Sequence, residues 1–168
     1  MRTSSVVTTY LSLGSNVEPF YHIPVAVREL GARFGSLRIS PVYESAAIGF
    51  TGEHFLNLVV AFETNLEPTV IRAFLRQLEE RHDRVREGES FSPRTLDIDL
   101  LLYGDLVSTG SVVVPRAEIL RYAFVLKPLA DLAPDACHPV TGVRYADLWA
   151  TFDATMQPLW PIALDLAV

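Results

Sequence analysis

The stretch 94-RTLDIDLLLYG-104 decides the fold. Apolar and polar residues alternate through it, the pattern of a strand with one buried face. Leu96, Ile98, Leu100 and Leu102 form the inward face, and Asp97 and Asp99 point together to the other. Twice the rise per residue separates the two carboxylates by about 6.6 Å along the strand axis. Carboxylates so placed can share a pair of Mg²⁺ ions, which complete their shells with water and substrate phosphates. Taken alone, the residues leave two readings open, a merely solvated face or an ATP-dependent phosphoryl-transfer site. Arg84, Arg86 and Arg94 precede the strand and tilt the balance. A guanidinium stays charged and binds phosphate oxygens through a planar fork.

Working outward, the pattern predicts a strand over Val6–Leu13 that stops at the turn Gly14-Ser15-Asn16, and a helix over Pro24–Phe34 closed near Gly35. A strand follows over Leu37–Ser45, with Pro41 marking an edge or bulge. A second strand covers Phe55–Glu63. Ile71, Leu75 and Leu78 recur at helical spacing behind Pro68, so Pro68–His82 is an amphipathic helix. The order β-α-β-β-α-β is the ferredoxin-like α+β pattern, an antiparallel sheet with both helices on one face. A tail adds a strand over Ser111–Val114, a segment at Phe124–Leu132 and a short helix near Tyr145–Phe152, giving α/β/α layers. Trp149 and Trp160 read as packing of that tail. The expected organisation is a single domain over residues 1–168.

Composition narrows the function. Of the 168 residues 49% are hydrophobic and 20% charged, which is globular composition. The formal net charge of −6 speaks against a general nucleic-acid or membrane-surface binder. The lone Cys137 forms no intramolecular disulfide, in keeping with a reducing, cytoplasmic setting. The N-terminus does not read as a signal peptide, and no run of about 20 apolar residues predicts a membrane span. His22, His54, His82 and His138 lack zinc-ligand spacing and read as surface or structural residues. No P-loop and no G-x-S-x-G occur.

These motifs together resemble the 6-hydroxymethyl-7,8-dihydropterin pyrophosphokinase family of folate biosynthesis. The resemblance runs from about Leu11 to Gly142. Its strongest element is 93-PRTLDIDLLLYG-104. LSLGSN (11–16), SPVYES (40–45), FLNLVVAFET (55–64), RVR (84–86), FVLKPLADLAPD (124–135) and His138-Pro139 support it in the family's order. It implies transfer of the β,γ-pyrophosphoryl group of ATP to the pterin hydroxymethyl group, with release of AMP and with two Mg²⁺ ions. By match of position, Asp97 and Asp99 are metal ligands, and Asp97 also touches the pterin. Arg84 and Arg94 are catalytic arginines. Glu79, Arg86, Phe91, Leu100 and Arg116 fall at ATP-contacting positions. Ser45, Ile48, Phe55, Asn57 and Phe124 fall at pterin-binding positions, with the two phenylalanines sandwiching the ring. The expected partners are the pterin and ATP, with no nucleic acid and no membrane, and the expected state is a monomer.

The chain departs from the family chiefly on the ATP side. The usual Val-Pro-His is Val114-Pro115-Arg116, and Tyr122 stands where an arginine precedes Ala-Phe. Asp83 replaces a glycine before Arg84, and the loop carries Glu87 and Glu89. The loops Ala46–His54 and Arg84–Ser92 are the expected lids. These departures favour an alternative, a divergent and catalytically weak or inactive pterin- or nucleotide-binding relative. The retained aspartate and arginine pairs oppose it. A D-x-D transferase on another fold is opposed by the element order.

Overall fold

The computed structural model describes residues 5–46, 53–82 and 95–166. The strands are β1 (Val7–Ser15), β2 (Arg38–Ile39), β3 (Val42–Ser45), β4 (Phe55–Thr64), β5 (Asp97–Tyr103), β6 (Ser108–Thr109), β7 (Val113–Val114) and β8 (Leu159–Ile162). The helices are α1 (Pro19–Phe34), α2 (Pro68–His82), α3 (Glu118–Arg121), α4 (Ala123–Leu132) and α5 (Tyr145–Ala150). The main sheet has the order β5-β1-β4-β3-β8, with β2 also pairing β4 and every pairing antiparallel. The core βαββαβ order is the expected ferredoxin-like one, and the α+β class holds.

Two apolar layers flank the sheet. Against α1 and α2 lie Leu11, Leu13, Leu58, Val60, Phe62, Ile98 and Leu100, with Ile23, Val27, Leu30, Ile71, Leu75 and Leu78 from the helices. On the opposite face Val59, Leu101 and Leu102 pack with Ile119, Leu126, Leu129 and Tyr145. The tail helices therefore form a third layer, as the α/β/α reading requires.

The structure corrects several expectations. Leu102 does not share the face of Leu96, Ile98 and Leu100. Leu11 pairs with Leu100 but Tyr10 with Leu102, so Leu101 is an extra residue on β5. This bulge resets the alternation and sends both Leu101 and Leu102 to the α4 side. α1 begins at Pro19 rather than Pro24, with Pro24 inside the helix. The strand expected over Leu37–Ser45 is broken into β2 and β3, where Pro41 has no N–H to donate. The strand expected over Ser111–Val114 shortens to Val113–Val114, which pairs with Ser108–Thr109. Trp160, expected to pack the tail, is instead 43% exposed and lies in a strand of its own, β8, which extends the sheet beside β3.

α1 and α2 are joined by a polar contact that the scattered histidines did not suggest. His22 Nδ1 and His82 Nδ1 lie 2.7 Å apart. Glu29 lies 3.4 Å from His82 Nε2 and accepts a bond from Arg81 at 2.8 Å. One imidazole must carry the shared proton and the other must accept it, so a second proton breaks the bond.

Two outcomes are expected. Phe62→Ala, which empties a fully buried site where the ring stacks on Phe34 at 4.3 Å, should cost about 3–5 kcal/mol in urea unfolding. Burial, and then His82, hold the pKa of His22 below its usual 6.5, with Glu18 opposing. A depressed histidine stabilises fully above the unfolded value, and that contribution is lost as pH falls below it. The melting temperature should therefore fall between about pH 7.5 and 5.5, and less steeply in His22→Gln.

Candidate active site

β1 is the ruler along which the site is laid out. Gly14 pairs with Asn57 of β4 on one side and with Asp97 of β5 on the other, and Ser12 lies beside Asp99. Alternation puts Gly14, Asn57, Asp97 and Asp99 on the face opposite Leu13, Leu58 and Ile98. Phe55 and Ser45, paired with each other, extend the same face to β3. The structure thus gathers Ser45, Phe55, Asn57, Asp97 and Asp99 on one surface of the sheet.

Asn57 is buried, and its Nδ2 donates to Ser45 Oγ at 2.8 Å. That bond fixes the amide with Oδ1 turned toward β1. A Cβ on Gly14 would stand 3.1 Å from Asn57 Oδ1 and 3.9 Å from Phe55 Cδ1. Gly14 is therefore a shaping residue of this surface, although sequence reading gave it only a structural turn. Its signal was the glycine at the end of an apolar strand, where close approach of another group excludes a side chain.

The carboxylates crowd at the other end. Glu79 of α2 accepts a hydrogen bond from the Ile98 amide at 3.0 Å. Burial raises its pKa to about 7, the Ile98 bond opposes this, and the charges of Asp97 and Asp99 with a hydrogen bond to Asp97 add to the rise. Arg116 faces this cluster, with Nη2 3.8 Å from Asp99 Oδ1. Burial works against its charge. The Glu118 hydrogen bond, then the charges of Asp99, Glu118 and Asp97, outweigh burial and raise its pKa. The arginine in the Val-Pro-Arg segment thus stands beside the aspartate pair.

Other expected residues lie apart. Leu100 is buried in the layer against α1 and α2. Phe124 sits in the first turn of α4, and its ring stacks on Tyr122 at 5.0 Å. Tyr122 and Phe124 thus make a pair of stacked aromatic plates. Arg121 directs its carbonyl to Gln157 Nε2 at 3.1 Å. Ile48, Arg84, Arg86, Phe91 and Arg94 lie outside the described residues, as do most of the two expected lid loops.

Gly14→Ala is expected to fold, with Asn57 displaced by a few tenths of an ångström. Fluorescence titration with a reduced pterin, the ligand that the resemblance implies, should show binding weakened about three- to tenfold.

Residues 10–134 match the family model described as 7,8-dihydro-6-hydroxymethylpterin-pyrophosphokinase (HPPK). The 2-amino-4-hydroxy-6-hydroxymethyldihydropteridine pyrophosphokinase of Pseudomonas aeruginosa is 40% identical over 132 residues, which cover 75% of this chain and 80% of that protein. Its Aquifex aeolicus counterpart is 35% identical over 138 residues, 80% of this chain and 86% of the other. The chain is also 32% identical over 157 residues to the folic acid synthesis protein fol1 of Pneumocystis carinii, and there it spans only 21% of the longer protein. Among solved structures, a triple mutant of Plasmodium falciparum HPPK-DHPS superposes with a TM-score of 0.73 at 13% identity, over 88% of this chain and 42% of that one. That likeness shows a shared fold. The matched span runs from β1 through α4 and holds every described residue of the sheet surface that gathers Asn57 and the two aspartates, so the chain belongs to the 7,8-dihydro-6-hydroxymethylpterin-pyrophosphokinase family, the pyrophosphokinase enzymes of folate biosynthesis.

Proposed function

We propose that this chain, acting as a single monomeric domain in the cytoplasm, converts 6-hydroxymethyl-7,8-dihydropterin and ATP to the pterin diphosphate and AMP. The hydroxymethyl oxygen bonds to the β-phosphorus of ATP, the bond from that phosphorus to the α,β-bridging oxygen breaks, AMP leaves and the hydroxyl proton is released. The observation that supports this reading is the shared surface of Asp97, Asp99, Asn57 and Phe55, set out along β1. Among the described residues no helix is long and apolar enough to cross a membrane.

The aspartate pair fits Mg²⁺. Both are hard oxygen donors on one strand face, Asp99 keeps 41% of its side chain exposed, and the neighbouring Glu79 titrates high partly because of their charge. When bound, two Mg²⁺ ions supply neutralising charge for the phosphate oxygens. The protein's own groups do the rest. Asn57 Oδ1, free to accept because Nδ2 is committed to Ser45, reads an N–H on the pterin edge. Phe55 and Phe124 offer aromatic faces to the flat ring. Asp97, on the side of Gly14 away from Asn57, orients the hydroxymethyl group. Arg84 and Arg94 hold the moving phosphoryl groups, with Arg86 and Arg116 on the nucleotide. Fixed charge of this kind is the main catalytic term in phosphoryl transfer, where little covalent work falls to the protein.

Product analysis tests the reading. With ATP, Mg²⁺ and the pterin, AMP should form only when the pterin is present. Asp97→Ala and Asp99→Ala should each lower kcat by about 10³-fold or more, from several kcal/mol of lost charge stabilisation, with the fold intact by circular dichroism. ADP as product, or turnover that survives both substitutions, would refute it.

A further inference from the structure

We propose that Glu118 is a positioning residue that holds the Arg116 guanidinium beside Asp99 and thereby sets affinity for the nucleotide. The inference rests on the reading of Arg116 as a nucleotide contact.

The main chain at Arg116 is fixed first. Its N–H donates at 3.0 Å to the carbonyl of Leu101, the extra residue of the β5 bulge. Its carbonyl accepts from Ile119 at 3.2 Å as the chain turns into α3. Arg116 is thereby pinned to the outer edge of the strand that carries both aspartates. The side chain is fixed next. Nε donates to Glu118 Oε2 at 3.0 Å, and Nη2 donates to the same oxygen. Nη2 also faces Asp99 Oδ1 at 3.8 Å, beyond hydrogen-bond reach. Arg116 is 35% exposed and Glu118 29%, so the pair is screened less than a surface ion pair.

The consequence follows from the charges around one guanidinium. Asp97, Asp99 and Glu118 all act on it. An unheld arginine has many rotamers open to it, and here its charge would draw it onto Asp99, the carboxylate assigned to the cations. Glu118 takes one edge of the fork and keeps the group just short of Asp99. The charge then stands beside Asp99, where a phosphate oxygen would meet it. A histidine at this position is too short and too weakly charged to need such a holder. An arginine does need one, and α3 supplies it from its first residue.

Binding of a non-hydrolysable ATP analogue with Mg²⁺, measured by titration calorimetry, tests this in Glu118→Ala, Glu118→Gln, Arg116→Ala and the double variant Arg116→Ala/Glu118→Ala. Thermal melts confirm that each is folded. Glu118→Ala should weaken binding about five- to tenfold, with KM for ATP rising in step and kcat nearly unchanged. Glu118→Gln keeps an acceptor oxygen and should recover most of the loss. In the Arg116→Ala background the same change should add nothing. Equal losses in both backgrounds, or no loss in Glu118→Ala while Arg116→Ala weakens binding, would overturn the inference and leave the nucleotide reading standing. If Arg116→Ala itself binds like the parent, the nucleotide reading of Arg116 has failed, and the inference with it.

Discussion

β1 is hydrogen-bonded on both sides, to β4 along its whole length and to β5 over most of it, and this double pairing holds the site together. A central strand cannot slip by one residue without moving every apolar side chain to the wrong face. Leu11 and Leu13 are fully or nearly fully buried against α1 and α2, so the register is locked by the core. Gly14 is then held between Asn57 and Asp97, and two groups from distant parts of the chain meet across one residue without a side chain. The geometry of the surface is thus a by-product of the packing beneath it. The groups that the strands carry gain precision from this, because the packed sheet fixes their spacing.

The bulge at Leu101 joins that scaffold to the second layer. Without it, strict alternation would put Leu101 on the aspartate face but Leu102 against α1 and α2. With it, both leucines pack under α4, and the Leu101 carbonyl is turned outward to receive the Arg116 amide. One inserted residue therefore anchors the tail helices and fixes where Arg116 enters the site. Bulges next to active sites re-aim side chains in just this way.

Much of this was legible in the residues, and the limits have physical causes. Period-two alternation around Asp97 and Asp99 is a local signal, and it correctly set both carboxylates on one face. Helical spacing behind Pro68 placed α2 at its observed bounds. The face of Leu102 was not legible, because a bulge is a property of a strand pair. Only the register against Tyr10 and Leu11 reveals it. The start of α1 was misread because Pro24 and Pro19 both satisfy the preference for proline in a first turn. The earlier one wins, with Glu18 at positive φ just before it and its carbonyl accepting from Tyr21 and His22. β8 was missed because it is only four residues long and Pro161 interrupts it, and proline is tolerated in a strand only at an edge, where β8 lies. At the site, the identities of Asn57 and Phe55 pointed to chemistry. The part of Gly14 did not, since it lies in the side chain that glycine lacks.

The departures at Arg116 and Tyr122 take a coherent form once the neighbours are placed. Arg116 for histidine raises the positive charge beside Asp99, and Glu118 answers it at bonding distance. Tyr122 for arginine removes a cation nearby and stacks its ring on Phe124 at 19° between planes. Across the two positions one cation is lost with the Tyr122 exchange and one gained at Arg116, so the site keeps a guanidinium but moves it to the edge of β5. A phosphate chain is recognised by the position of charge more than by the residue that bears it. On the proposed reading of Arg116, relocating one guanidinium, with a carboxylate to hold it, would preserve the electrostatic requirement of phosphoryl transfer while changing which segment of the chain meets it. That pattern fits a rebuilt nucleotide side better than decay, because among the described residues Arg116 brings a cation to the cluster of Asp97, Asp99 and Glu79.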